Sequence, residues 1–288
     1  MPHILTILLL LISHHPASAS DSEHAAGMLS RFPAGSVPAS IAVLNAMGIL
    51  AESGDEEHTS LLESMLGTES IQVQEAATLA LGSISNRSRR ALRQNFSVPS
   101  PLQINAFAEQ FRDQQLRLGL HERRALAYAV LILGEIPPNT NTEWRENGTT
   151  KEKASDPTGA LRSYAQAAAH GHVDAFHEIQ AYGLDPERLV LGLWTAWCPD
   201  RTDTSPALDT LVHLGSIQTV RVLANRSVRG TAYHRAIALN ALSQMLADGK
   251  LSNTASMAAR DGLQSGTQDP HNDVRVLARA ALLELKPN

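Results

Sequence analysis

Residues 69–82 read ESIQVQEAATLALG, and this short stretch decides the fold class. Ile71, Val73, Ala76, Ala77, Leu79, Ala80 and Leu81 fall at helical spacing, and none of the run alternates strictly every second residue as a half-buried strand does. The spacing predicts a helix ending at Gly82, with small alanines on its inner face. The same phrase returns along the chain as 42–48 (AVLNAMG), 127–134 (AYAVLILG), 238–242 (ALNAL) and 278–282 (ARAAL). Gly48 and Gly82 are 34 residues apart, and Leu242 and Leu282 are 40 apart. Self-similarity at such periods belongs to stacked helical hairpins, each too thin to bury its apolar face alone. Leu61, Leu62, Met65 and Leu66 supply a further predicted helix before Gly67.

Composition supports the same reading. Of 288 residues 43% are hydrophobic but only 4% aromatic, so the core must be built from Ala, Leu, Ile and Val. Facing short side chains let helices approach closely while the flanking Leu and Ile fill the gaps. The net charge of −5, from 29 acidic and 24 basic residues, offers no general attraction to nucleic acid or to an anionic membrane. Cys198 is the only cysteine, so no disulfide can close within the chain.

Residues 269–282 (DPHNDVRVLARAAL) and 69–82 resemble the HEAT-like repeats of the bacterial phycobilisome-lyase type, with Asp-Pro at the turn, Asp273 and Arg275 opening the helix and alanines packed inward. Gln74 stands where that repeat usually has Arg. The resemblance covers residues 36–135 and 205–286. It implies an all-α solenoid of stacked hairpins that binds a protein; some such relatives assist chromophore attachment.

Residues 4–12 (ILTILLLLI) are an unbroken apolar run of nine, too short for the roughly twenty residues a bilayer span needs. With Ala17 and Ala19 behind it, the run reads as a signal peptide covering residues 1–19, cleaved before Ser20. The expectation is an exported, periplasmic or secreted protein with no lasting membrane insertion. Behind the signal, HEAT-like repeats are expected over 20–136, a polar loop over 137–157 and further helical hairpins over 158–288.

Periodicity stops at residues 137–157 (PPNTNTEWRENGTTKEKASDP), which read as a structureless loop. Trp144 and Arg145 in it are candidate partner contacts, because both residue types anchor interfaces. Arg87, Arg89, Arg90 and Arg93 form a basic cluster, either a solvated helix face or a contact for an acidic partner or anionic surface. Residues 157–186, with AAAHGHVDAFHEIQAYGLDP across their centre, resemble one ankyrin-type hairpin turning at Gly171 and His172. His170, His172, Asp174, His177 and Glu178 are the one grouping of metal-ligand types; the first three resemble part of a metallo-β-lactamase ligand run, but Ala175 stands where its next His belongs. The preferred reading places His172 and Asp174 at a helix start, with no metal.

Residues 189–201 (LVLGLWTAWCPDR) resemble the strand and active-site turn of exported thioredoxin-like proteins, yet Arg201 replaces the second cysteine, which removes any dithiol cycle. The competing reading is a buried helix ended by Pro199. Asn86, Asn95, Asn147 and Asn225 each open an Asn-x-Ser/Thr sequon. No phosphate loop, nucleophile elbow or His-Glu-x-x-His helix is present, so no catalytic residue and no cofactor is expected. The sequence therefore predicts an exported, non-catalytic repeat scaffold for an unidentified protein partner, with no nucleic-acid role. The alternative is a thioredoxin-like or lyase-like protein centred on the free thiol of Cys198.

Overall fold

The structure, a computed structural model, describes residues 18–33, 36–112, 118–140, 144–197 and 205–285. All regular structure among them is helical, and they contain no strand. No helix among them is long and apolar enough to cross a membrane. Contacts divide the chain into two units, residues 1–94 and 95–288. Residues 118–133 belong to the second unit, where their apolar face is buried among helices later in the chain.

The first unit holds α1 (Ala19–Leu29), α2 (Ile41–Ser53), a 3-10 turn (Glu56–His58), α3 (Thr59–Met65) and α4 (Ile71–Gln94). Helix α2 packs on α1 and α4, and α3 also packs on α4. Leu29, Val43, Met47, Leu50, Leu62, Met65, Val73, Ala77, Ala80 and Ile84 make the core. Ser40 caps α2 by accepting the Val43 amide at 3.3 Å.

Gly48 and Gly82 do not end their helices, contrary to the sequence expectation. Both lie inside, and α4 runs twelve residues past Gly82 because Ile84 still has a buried place to fill. The last glycine of the repeated phrase, Gly134, does end its helix, at φ +71°, with two prolines beyond it to prevent continuation.

The second unit begins with α5 (Pro101–Ala108), started by a reciprocal Ser100–Gln103 capping box, and α6 (Leu120–Leu133). It continues with α7 (Trp144–Lys153), α8 (Pro157–Ala169), α9 (Val173–Gln180), α10 (Pro186–Trp197), α11 (Ser205–Leu214), α12 (Ile217–Arg226), α13 (Ala232–Ala247), α14 (Asn253–Gly266) and α15 (Asn272–Glu284). Helices α6, α8 and α10 pack mutually at its centre. From α12 onward each helix packs on the next, and α12 and α13 also pack on α14 and α15 respectively.

Small residues set the spacing of these helices. A methyl group on Gly192 of α10 would collide with the Ala125 carbonyl oxygen of α6 and sit 2.6 Å from Ala129 Cβ. On α14, a Cβ on Gly262 would lie 2.8 Å from Leu242 and 3.3 Å from Ala224, and one on Gly266 3.0 Å from Ala278.

The polar segment 137–157 is not a structureless loop, since it contains α7. Among its described side chains, Glu152 and Lys151 tie this polar helix to its neighbours, Lys151 by donating to the Gly159 carbonyl and Ser163 hydroxyl at 3.3 Å. Glu152 is 4% exposed and accepts hydrogen bonds from the hydroxyls of Tyr164, at 3.0 Å, and Tyr182, at 2.7 Å. Gly148 lets the α7 backbone rest on the Tyr164 ring, where a Cβ would lie 2.6 Å from Cζ. Ser155, at φ +55°, then reverses the chain into α8, which Asp156 caps through the Gly159 amide at 2.8 Å.

Gly192→Ala should therefore lower unfolding free energy by about 1–3 kcal/mol through overpacking. Gly82→Ala, with nothing within 4 Å of the added carbon, should raise it by up to about 1 kcal/mol. Urea titrations of the two variants check both signs.

Candidate functional site

The basic cluster is split by the fold. Arg87 projects from α4 onto the C-terminus of α2, donating from Nη2 to the carbonyls of Gly54 at 2.5 Å and Leu50 at 3.4 Å, and from Nη1 to that of Ala51. The Leu50 carbonyl also accepts the Gly54 amide at 2.9 Å, so the cation chiefly serves the Ala51 and Gly54 carbonyls, and it meets the negative end of the helix dipole. Arg87 is thus an internal cap of α2. Of the others, Arg90 is exposed and Arg89 and Arg93 are half-buried. Trp144 and Arg145 open α7, and their side chains lie outside the described residues. Cys198 lies outside them as well.

The thioredoxin-like turn loses its strand, because Pro186–Trp197 is a helix buried along most of its length. Alternation is absent from residues 189–197, and Gly192 serves close helix packing instead. Trp197 donates from Nε1 to the Pro137 carbonyl at 2.9 Å and so anchors the start of the polar segment. In the histidine-rich hairpin, Gly171 makes the turn at φ +86°, His172 stands at the N-cap of α9 without a side-chain capping bond, and Asp174 lies in its first turn. His170 Nδ1 contacts the Gln166 carbonyl at 2.8 Å. Among the described residues no three His, Cys, Asp or Glu side chains are grouped to hold a metal ion.

The arrangement that stands out chemically is one the sequence reading missed. Glu122, in the first turn of α6, is 1% exposed, and Arg226, at the end of α12, is 4% exposed; Glu122 Oε1 and Arg226 Nε are 2.9 Å apart. The second carboxylate oxygen accepts the Gly119 amide at 2.7 Å. The Arg226 guanidinium lies 5.9 Å from the centre of the Trp194 ring on α10, so three helices meet at this pair. Burial pushes the Glu122 carboxyl above the ordinary glutamate range, against the opposing pull of Arg226, the Gly119 amide and Arg229.

A glutamate three residues after Gly119 is a capping signal, and that part was legible. Its partner Arg226 lies 104 residues away, beyond any local pattern. Asn225 packs its side-chain amide against Gly119, where a Cβ would lie 2.7 Å from Cγ. Of the four sequons, Asn225 is therefore engaged in the fold, whereas Asn86, Asn95 and Asn147 are exposed.

A second charged link joins consecutive hairpins near the C-terminal end. Arg235 of α13 grips Asp269, the turn residue before α15, through two bonds: Nε to Oδ2 at 2.5 Å and Nη2 to Oδ1 at 2.8 Å. Asp269 Oδ1 also accepts the His271 amide at 2.8 Å, and Arg275 closes the turn by donating to the Asp269 and Pro270 carbonyls at 2.7 and 2.9 Å. The bonds from Arg235 hold the Asp269 carboxyl below the usual carboxylate range.

Comparison with protein-family models, curated proteins and solved structures finds no match to this chain.

Removing one member of the Glu122–Arg226 pair strands the other in the core, so Arg226→Met should cost about 3–5 kcal/mol. The double change Glu122→Leu with Arg226→Met should recover much of that loss. Because the folded-state pKa of Glu122 is raised, the folded protein binds this proton more tightly than the unfolded chain. The group's contribution therefore weakens as pH rises from the ordinary glutamate range through its raised folded value. Relative to Glu122→Gln, the native chain should lose stability across that window, as denaturant titrations at stepped pH will show.

Proposed function

We propose that this chain is an exported, HEAT-type helical-repeat scaffold whose stacked hairpins bind a protein partner outside the cytoplasm. The observation that carries the reading is the turn at Asp269. The residues that resemble the repeat, Asp269, Asp273 and Arg275, are those that shape this turn and the start of α15, and Asp269 is clamped by Arg235 of the preceding hairpin. The packing of α12 on α13 and α14, and of α13 on α14 and α15, is the contact pattern that stacked hairpins require. Such an array exposes surface along its length and needs no catalytic group to serve as a binding platform.

Export is supported by the apolar run at 4–12 and by the anatomy of α1. Cleavage before Ser20 would remove the Ser18 amide that Asp21 caps at 2.7 Å, yet keep Ser22, Ala25 and Leu29, the residues through which α1 is buried. Arg87, Arg89, Arg90, Arg93, Trp144 and Arg145 are the proposed partner contacts on this reading.

Two measurements test the proposal. Mass spectrometry of protein recovered from the envelope or medium should find Ser20 as the first residue. A protein captured with the tagged chain from the same fraction should re-form a stoichiometric complex when both are purified and mixed. A mature chain that retains residues 1–19, or captured proteins none of which re-forms a complex, contradicts it.

A further inference from the structure

The groove between α13 and α15 has the makings of a specific docking surface. It encloses about 350 Å³ and is lined by Asn240 and Ser243 on one side and by Asp273, Val276, Leu277, Ala280 and Glu284 on the other. Residues 273, 277, 280 and 284 follow the i, i+4, i+7, i+11 rule and so form one stripe along α15. Its centre is apolar, Leu277 and Ala280, and each end is a carboxylate. At a rise of about 1.5 Å per residue the two carboxylates stand about 16 Å apart along the axis.

The basic residues of α15 do not neutralise this stripe. Arg275 is turned to the Asp269 and Pro270 carbonyls and to Asn272 Oδ1. Arg279 projects about 100° round the helix from Ala280. Asp273 is 87% exposed, and among the described residues its charged neighbour is the His271 ring at 3.9 Å. Beside the stripe Val276 is 57% and Leu283 65% exposed, an apolar ridge one heptad long. A partner that covers this ridge must bring apolar side chains to the middle and positive charge to both ends.

Resting on the scaffold reading, we infer that this groove takes an amphipathic helical segment of a protein partner, with a basic residue near each end and aliphatic residues between them. The helix lies along the groove, its aliphatic side chains on Val276, Leu277, Ala280 and Leu283, and its two cations meet Asp273 and Glu284. Asn240 and Ser243 supply neutral hydrogen-bonding groups on the opposite wall, so the carboxylates alone set the charge preference.

The test uses the full chain and a fluorescein-labelled helical peptide carrying two Arg residues eleven positions apart, with Leu on the same face between them. Fluorescence anisotropy should show saturable binding that weakens with added salt, and no binding of the same peptide with Glu in place of Arg. Asp273→Lys with Glu284→Lys should weaken binding about tenfold or more. Glu63→Lys with Asp261→Lys, an equal change of net charge at exposed sites elsewhere, should not. Circular dichroism of both variants confirms that the helices remain.

Equal binding of the two peptides, equal binding by the Asp273/Glu284 variant, or no binding of the Arg peptide overturns the inference. So does self-association in light scattering that the Asp273/Glu284 reversal abolishes, which would make a second copy the occupant. A native partner that still binds the reversed variant also overturns the groove while leaving the scaffold reading intact. A chain that binds the Arg peptide but re-forms no complex with any captured native protein supports the groove and contradicts the scaffold reading.

Discussion

At the centre of the second unit α6 and α10 cross closely, where Gly192 admits the Ala125 carbonyl and the Ala129 methyl. Much else in that unit depends on it. With the two backbones this near, Tyr128 reaches the start of α10, where its hydroxyl accepts the Asp185 amide at 2.8 Å and Arg188 lies 4.8 Å over its ring. Helix α8, with Ala160, Ala165, Ala167, Ala168 and Ala169 all buried, packs against both. Alanine and glycine let these helices come close, and the few rings that the unit holds, among them Tyr128, Tyr164 and Trp194, are buried with them. Dispersion between closely packed backbones then does the work that large side chains do elsewhere.

Close packing leaves helix ends to be satisfied, and arginine does so repeatedly from a neighbouring element. Arg87 binds carbonyls at the end of α2, and Arg162 of α8 donates to the Leu133 carbonyl at the end of α6 at 2.6 Å while pairing with Glu135 at 2.8 Å. The carboxylates of Glu122, Glu152 and Asp269 act in the complementary sense, each fixing one element to another by a buried or nearly buried hydrogen-bonded charge. Such groups add less net stability than their number suggests, since burying them has its own cost. They do forbid alternative registers, because any slip would strand a charge in the core.

Helix type and the inward alanines were legible in the sequence because a 3.6-residue period survives whatever the helices pack against. Helix ends were less legible. The glycine that closes the repeated phrase marks a terminus at Gly134 but not at Gly48 or Gly82, and the next few residues make the difference: prolines in the first case, another buried apolar residue in the other two. Residues 137–157 misled because an inward carboxylate, Glu152, stands where periodicity looks for an apolar stripe. Its two tyrosine partners lie 12 and 30 residues further on. The Glu122–Arg226 pair was hidden for the same reason, and Arg87 looked like surface charge because the carbonyls it caps belong to a different helix.

Small-residue crossings as the mechanical centre of the second unit can be tested without any substitution, by native-state hydrogen exchange on the intact chain. Amides of α6, α8 and α10 around Ala125, Ala165 and Gly192 should be the last in that unit to exchange, opening only with global unfolding, while α15 opens earlier and by itself. Exchange through α6 and α10 that is as fast as in α15, or protection greatest in α13 to α15, would contradict the account.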